Sequence, residues 1–184
     1  MEKKNIEELS NIIFGLALTV GTLTLVKPAE DSFGELLHIL SSFALSFIVL
    51  LWFWWLYIRT MRGMVMNSQV KYGLNFVLLF LVVIEPYLLT IVDTVSGATA
   101  YAIDLGTVMV VFVFFWHFMR KETPLTDEAR LDKLRRGRNS MLLSAAIFYA
   151  STLVQLFPPI ASSGAQGLIW LFVLVVAMVY RLRE

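Results

Sequence analysis

The stretch Asn5-Ile6-Glu7-Glu8-Leu9-Ser10-Asn11 leads into Ile12-Ile13-Phe14-Gly15-Leu16-Ala17-Leu18-Thr19-Val20-Gly21-Thr22-Leu23, and its reading decides what kind of molecule this is. With about 100° between successive side chains on a helix, Asn11, Gly15, Thr19 and Thr22 fall along one side, with Ile12, Leu16 and Leu23 beside them. The segment is an apolar helix with a polar stripe. A surface that meets only lipid has no use for one, which leaves two readings open. In the first, Gly15, Ala17 and Gly21 let another helix approach closely while Thr19 and Thr22 bond carbonyls of their own helix. In the second, the stripe lines an ion path, with hydroxyls touching a partly hydrated cation and Leu16 or Leu23 forming an apolar constriction.

The rest of the chain has the same character. Of its 184 residues 58% are hydrophobic and 16% charged, and the charges sit in short clusters between long apolar runs. A helix of about 20 apolar residues crosses a hydrocarbon core of roughly 30 Å. Six stretches meet that length, at 6–26, 36–58, 73–92, 100–119, 140–157 and 164–181. The expectation is an all-α polytopic membrane protein forming one six-helix domain over 1–184. If the segments alternate in direction, every one of the 15 Lys and Arg residues except Lys27 falls on the side that holds both termini. By the positive-inside tendency that side is cytoplasmic. Lys3 and Lys4 ahead of an apolar core resemble a secretory signal, but Glu7 and Glu8 intervene and Lys27-Pro28-Ala29-Glu30 is a poor cleavage site, so the segment reads as a retained helix.

The connections are short except for Arg120 to Asn139, a charged stretch that reads as a cytoplasmic loop in which Thr126-Asp127-Glu128-Ala129-Arg130 begins a short interfacial helix. Stop-transfer charge accounts for its basic run without a nucleic-acid partner. Pro158-Pro159 ends the fifth segment and Ser162-Ser163-Gly164 makes the turn to the sixth. Without cysteine there is no thiolate or haem-thioether chemistry. His38 and His117 fall at opposite faces and cannot share a metal ion. No cofactor is expected, and no nucleophile and base lie at a common depth, so the chain does not read as an enzyme.

Several residues qualify the apolar pattern. Trp52, Trp54, Trp55 and Tyr57 precede Arg59 near the cytoplasmic end of the second segment. An interfacial aromatic belt accounts for any one of them, but together they span more than the helix circumference, so at least one points inward and seeks a partner for its N–H or O–H. Ser10 and Asn11 lie at that depth. Glu85 and Asp104 are acids within apolar segments, in the outer half of the membrane together with His38. Such groups either line an outer vestibule or relay protons, or else Glu85 sits in a turn loosened by Pro86 and Asp104 caps a late-starting helix. Asn75 is placed to bond between helices. Met61, Met64 and Met66 read as loop residues.

Taken together, these residues resemble the transmembrane protein 175 family of potassium channels, in its single-repeat prokaryotic form. That family carries Arg-x-x-x-Phe-Ser-Asp at the start of its first helix, and the matching positions here are Asn5, Leu9, Ser10 and Asn11, with only the serine kept. The run from Ile12 to Thr19 is similar to the family's apolar helix, Phe53-Trp54-Trp55-Leu56-Tyr57 to its aromatic pattern with Tyr57 in place of a histidine, and Leu74-Asn75 followed by Pro86 to its asparagine-to-proline spacing. The resemblance implies a homotetramer in a prokaryotic plasma membrane, with four first helices around a potassium pore. By position it makes Leu16, Val20 and Leu23 successive constriction layers, Thr19 a hydroxyl layer, and Trp54, Tyr57 and Asn75 supporting groups. It also marks a loss: the family's intramembrane charge pair and histidine are replaced by neutral residues. A proton-coupled transporter or proton path through His38, Glu85 and Asp104 is the alternative.

Overall fold

The computed structural model describes residues 3–23, 33–92 and 94–153, which form five α-helices and no strand among the described residues. The helices are α1 (Lys3–Leu23), α2 (Phe33–Gly63), α3 (Gln69–Thr90), α4 (Val95–Glu122) and α5 (Glu128–Ser151). α2, α3 and α4 each contain a segment long and apolar enough to cross a membrane, which makes this a multi-pass membrane protein. The expected sixth span, 164–181, lies outside the described residues, as does the end of the fifth.

Local sequence sets the helix starts. The Ser68 hydroxyl accepts from the Lys71 amide to open α3, Thr94 does the same for Gly97 in α4, and Asp127 for Arg130 in α5. The turn from α3 to α4 is so tight that a Cβ on Gly97 would run into the Ile91 carbonyl; only glycine permits it. Pro86 lies inside α3 and is buried.

Two expectations are corrected. The stretch after Arg120 is not a loop with a short interfacial helix: from Glu128 onward it is the first half of α5, which continues unbroken into the apolar fifth segment. Asp127 supplies the cap, and Leu134, Gly137 and Met141 give this half a face that packs inward. Met61 belongs to α2, and Met61, Met64 and Met66 are all buried, filling the space under the α2–α3 connection.

Successive helices run antiparallel. α1 packs on α2 and α3, and α4 packs on α3 and α5. α4 is the most enclosed, with 61% of its apolar window buried against 33% in α2. One end of the bundle gathers the start of α1, the end of α2, the start of α3, the end of α4 and the start of α5. Three contacts fix that end. Lys71 is buried, donates to the Val65 carbonyl and Asn67 Oδ1, both at 2.6 Å, and is ion-paired with Glu122. The Trp116 indole donates to Thr60 Oγ1 at 3.2 Å. The same indole lies flat enough on α5 that a Cβ on Gly137 would enter its ring. The basic residues of α2, α3, α4 and α5 collect at this end.

Candidate functional site

α1 buries one face and exposes the other. Ile6, Ser10, Phe14, Ala17 and Gly21 turn toward α2 and α3. Asn11, Ile12, Gly15, Leu16, Thr19 and Val20 turn away, and Leu16 and Val20 are 56% and 37% exposed. The polar stripe is thus the side of α1 that the described residues leave uncovered. Close packing explains part of the small-residue pattern: Ala17 is fully buried, and a Cβ on Gly21 would meet Pro86 Cβ at 3.8 Å. It does not explain Gly15, whose missing side chain faces open space. Thr19 Oγ1 donates to the Gly15 carbonyl at 2.9 Å and Thr22 Oγ1 to the Thr19 carbonyl at 2.6 Å. Each hydroxyl keeps lone pairs that can face a cation. Leu23 ends α1, and its side chain lies outside the described residues.

The base of α1 is anchored by neutral groups. The buried Ser10 hydroxyl and Tyr57 phenol share a hydrogen bond of 2.7 Å, and Phe14 meets the Tyr57 ring at 5.6 Å between centroids. The Trp54 indole donates to Asn11 Oδ1 at 3.2 Å. Two of the four aromatic residues near the end of α2 therefore find partners on α1, as their crowding on the helix requires. Asn75 is buried beside Tyr57, with its side-chain oxygen unpaired. Asn5 is exposed and Leu9 half-buried. Beyond Trp54, a cavity of about 420 Å³ is lined by Trp54, Trp55, Ile58, Arg59 and Arg62, with the Arg59 guanidinium 5.4 Å from the Trp55 ring centroid.

Glu85 and Asp104 do not line a vestibule of the described chain. They are 0% and 4% exposed, packed between α2, α3 and α4. Glu85 accepts from Ser46 Oγ at 2.7 Å and from the Tyr101 phenol at 2.9 Å. Asp104 is not a helix cap either, because α4 begins at Val95, capped by Thr94. The His38 side chain lies outside the described residues. Sequence reasoning missed Ser46 and Tyr101 as partners of Glu85; the spacing of Tyr101 and Asp104, three apart on one helix face, was the available signal.

Residues 5–86 match the family described as "Endosomal/lysosomal potassium channel TMEM175". Over nearly its whole length the chain also shares the fold of proteins solved under that family name. The crystal structure of a lysosomal potassium-selective channel TMEM175 homolog from Chamaesiphon minutus superposes with a TM-score of 0.64 at 20% identity, covering 99% of this chain and 97% of that one. A variant of the potassium channel MtTMEM175, bound to a nanobody–MBP fusion, superposes with a TM-score of 0.60 at 14% identity, covering 97% of this chain and 93% of that one. No curated protein sequence matches. The TMEM175 match includes α1 from Asn5 onward, its anchors on α2, and α3 as far as Pro86.

Proposed function

We propose that this chain is one subunit of a cation channel that prefers potassium, assembled as a homotetramer with α1 of each subunit facing a central pore. The observation that carries the reading is the uncovered face of α1. It combines Asn11, Gly15 and Thr19 with Leu16 and Val20, a mixture suited to a wet path with apolar narrowings and ill suited to lipid. The relatives of like fold are described as potassium channels. In this arrangement Leu16, Val20 and Leu23 are the constriction layers, Thr19 the hydroxyl layer, and Ser10 and Asn11 the points that seat α1 on Tyr57 and Trp54. The chain forms one six-helix domain over 1–184, with its termini in the cytoplasm of a prokaryotic cell on the side of the basic residues. Its ligands are potassium ions and the bilayer, and the reading assigns it no catalytic step.

The test is flux through reconstituted protein under potassium, sodium, caesium and proton gradients in turn. Wild type is expected to pass potassium best, and Leu16→Ala with Val20→Ala to raise flux and weaken the preference. Robust flux unaltered by both substitutions would remove α1 from the pore. The proton-path alternative draws on the burial of Glu85 and Asp104 within the bundle. It requires Glu85→Gln with Asp104→Asn to abolish transport, whereas an α1 pore is only modulated.

A further inference from the structure

The two buried acids pose a problem that the pore does not answer. Glu85 is locked by two donors, Ser46 from α2 and Tyr101 from α4. Asp104, one turn beyond Tyr101, is buried with neither carboxyl oxygen hydrogen-bonded. It is close enough to Glu85 for their charges to interact. Unpartnered buried polar atoms are rare, and an ionisable group without a partner at membrane depth is rarer still.

No described basic side chain on α3 or α4 answers this negative charge. Lys71 stands about 21 Å from Glu85 along α3, and His117 about 20 Å from Asp104 along α4, at 1.5 Å per residue. From α5, the Tyr149 ring sits against Gly106, and its phenol is engaged with Thr107 Oγ1 at 3.0 Å. From α1, Gly21 lies against Pro86, the residue after Glu85. Among the described residues, then, the groups facing the pair are hydroxyls and apolar atoms. Two adjacent carboxylates in such surroundings repel each other and have lost their hydration, so they persist only with positive charge between them. The geometry divides the roles. Glu85, with two donors, is suited to be the fixed anion, and the bare oxygens of Asp104 are free to take up the charge.

We propose that Glu85 and Asp104, with Ser46 and Tyr101 holding Glu85 in place, form a binding site for one exchangeable monovalent cation, a proton or a sodium ion, inside the subunit and off the α1 pathway. The site does not depend on the pore reading, because its test measures occupancy and not flux. The full-length protein in lipid nanodiscs is examined by infrared spectroscopy at neutral pH, with sodium present and then replaced by choline. Occupancy by a proton gives the carbonyl band of a neutral carboxyl in both media. Occupancy by sodium gives no band until sodium is withdrawn. In either case the band shifts when aspartate is isotope-labelled and vanishes in Asp104→Asn, a neutral substitution of the same shape. The isotope label makes the assignment even if that variant fails to fold. Absence of a carboxyl band in both media overturns the proposal, and so does a band that the aspartate label leaves in place.

Discussion

At the scale of single residues, the shortest hydrogen bond seating α1 on α2 is Ser10 to Tyr57 at 2.7 Å. Interhelical hydrogen bonds in membranes contribute about 0.6 to 2 kcal/mol, and truncating one partner strands the other. Tyr57→Phe is therefore expected to lower stability by about 1 kcal/mol, read as a drop in the thermal midpoint of the detergent-solubilised protein. Adding Ser10→Ala is expected to recover part of the loss, because the serine hydroxyl is then no longer left buried without its phenol partner. If the two losses simply add, the bond contributes nothing. The need for such a partner was legible in the sequence, since four aromatic residues in six positions cannot all reach the headgroups. Which residue would answer Glu85 was not legible. Ser46, Glu85 and Tyr101 come from three helices, and only packing brings them together.

At the scale of elements, the helices with long apolar runs and clear caps, α3 and α4, follow from the sequence within a few residues. The first half of α5 did not, because dense charge looks the same in a loop and on the outer face of a helix. What makes it a helix is tertiary: Gly137 admits the Trp116 ring of α4, and Thr60 of α2 holds that ring in place. Gly137→Ala forces a methyl group into the ring, and overpacking of this kind costs about 1–3 kcal/mol. The expected outcome is a lower thermal midpoint and faster proteolysis within 128–138, with α1 contacts unchanged. The α2–α3 connection depends on Lys71, which gathers Val65, Asn67 and Glu122. Lys71→Met leaves those acceptors without their cation. Because Glu122 is 31% exposed and can be rehydrated, the cost is expected at the lower end for a broken buried pair, about 3 kcal/mol. Equilibrium unfolding of the two proteins measures it.

At the scale of the whole molecule, one α1 cannot enclose a water-filled path, so the proposed channel stands or falls on assembly. The solubilised complex is expected to have the mass of four chains, measured by light scattering with the detergent contribution subtracted; a monomer that still conducts would refute the arrangement. The antiparallel order of the described helices gathers their basic residues at one end, as the charge pattern along the chain anticipates. The uncovered face of α1 was foreseen as a stripe, but a single sequence could not show whether a helix of the same chain would cover it.

The neutral seat of α1 has one more consequence. Among the described residues no ion pair joins α1 to another helix; its contacts with α2 run through hydroxyl, phenol, indole and amide groups. Dissolved ions weaken attraction between exposed charges over a screening length of about 10 Å at 0.1 M, and here they find no such attraction to weaken. The protein should therefore hold α1 with the same firmness in dilute and in concentrated electrolyte, so that a change of ionic strength alters how many cations arrive at the proposed pathway without moving the helix proposed to line it.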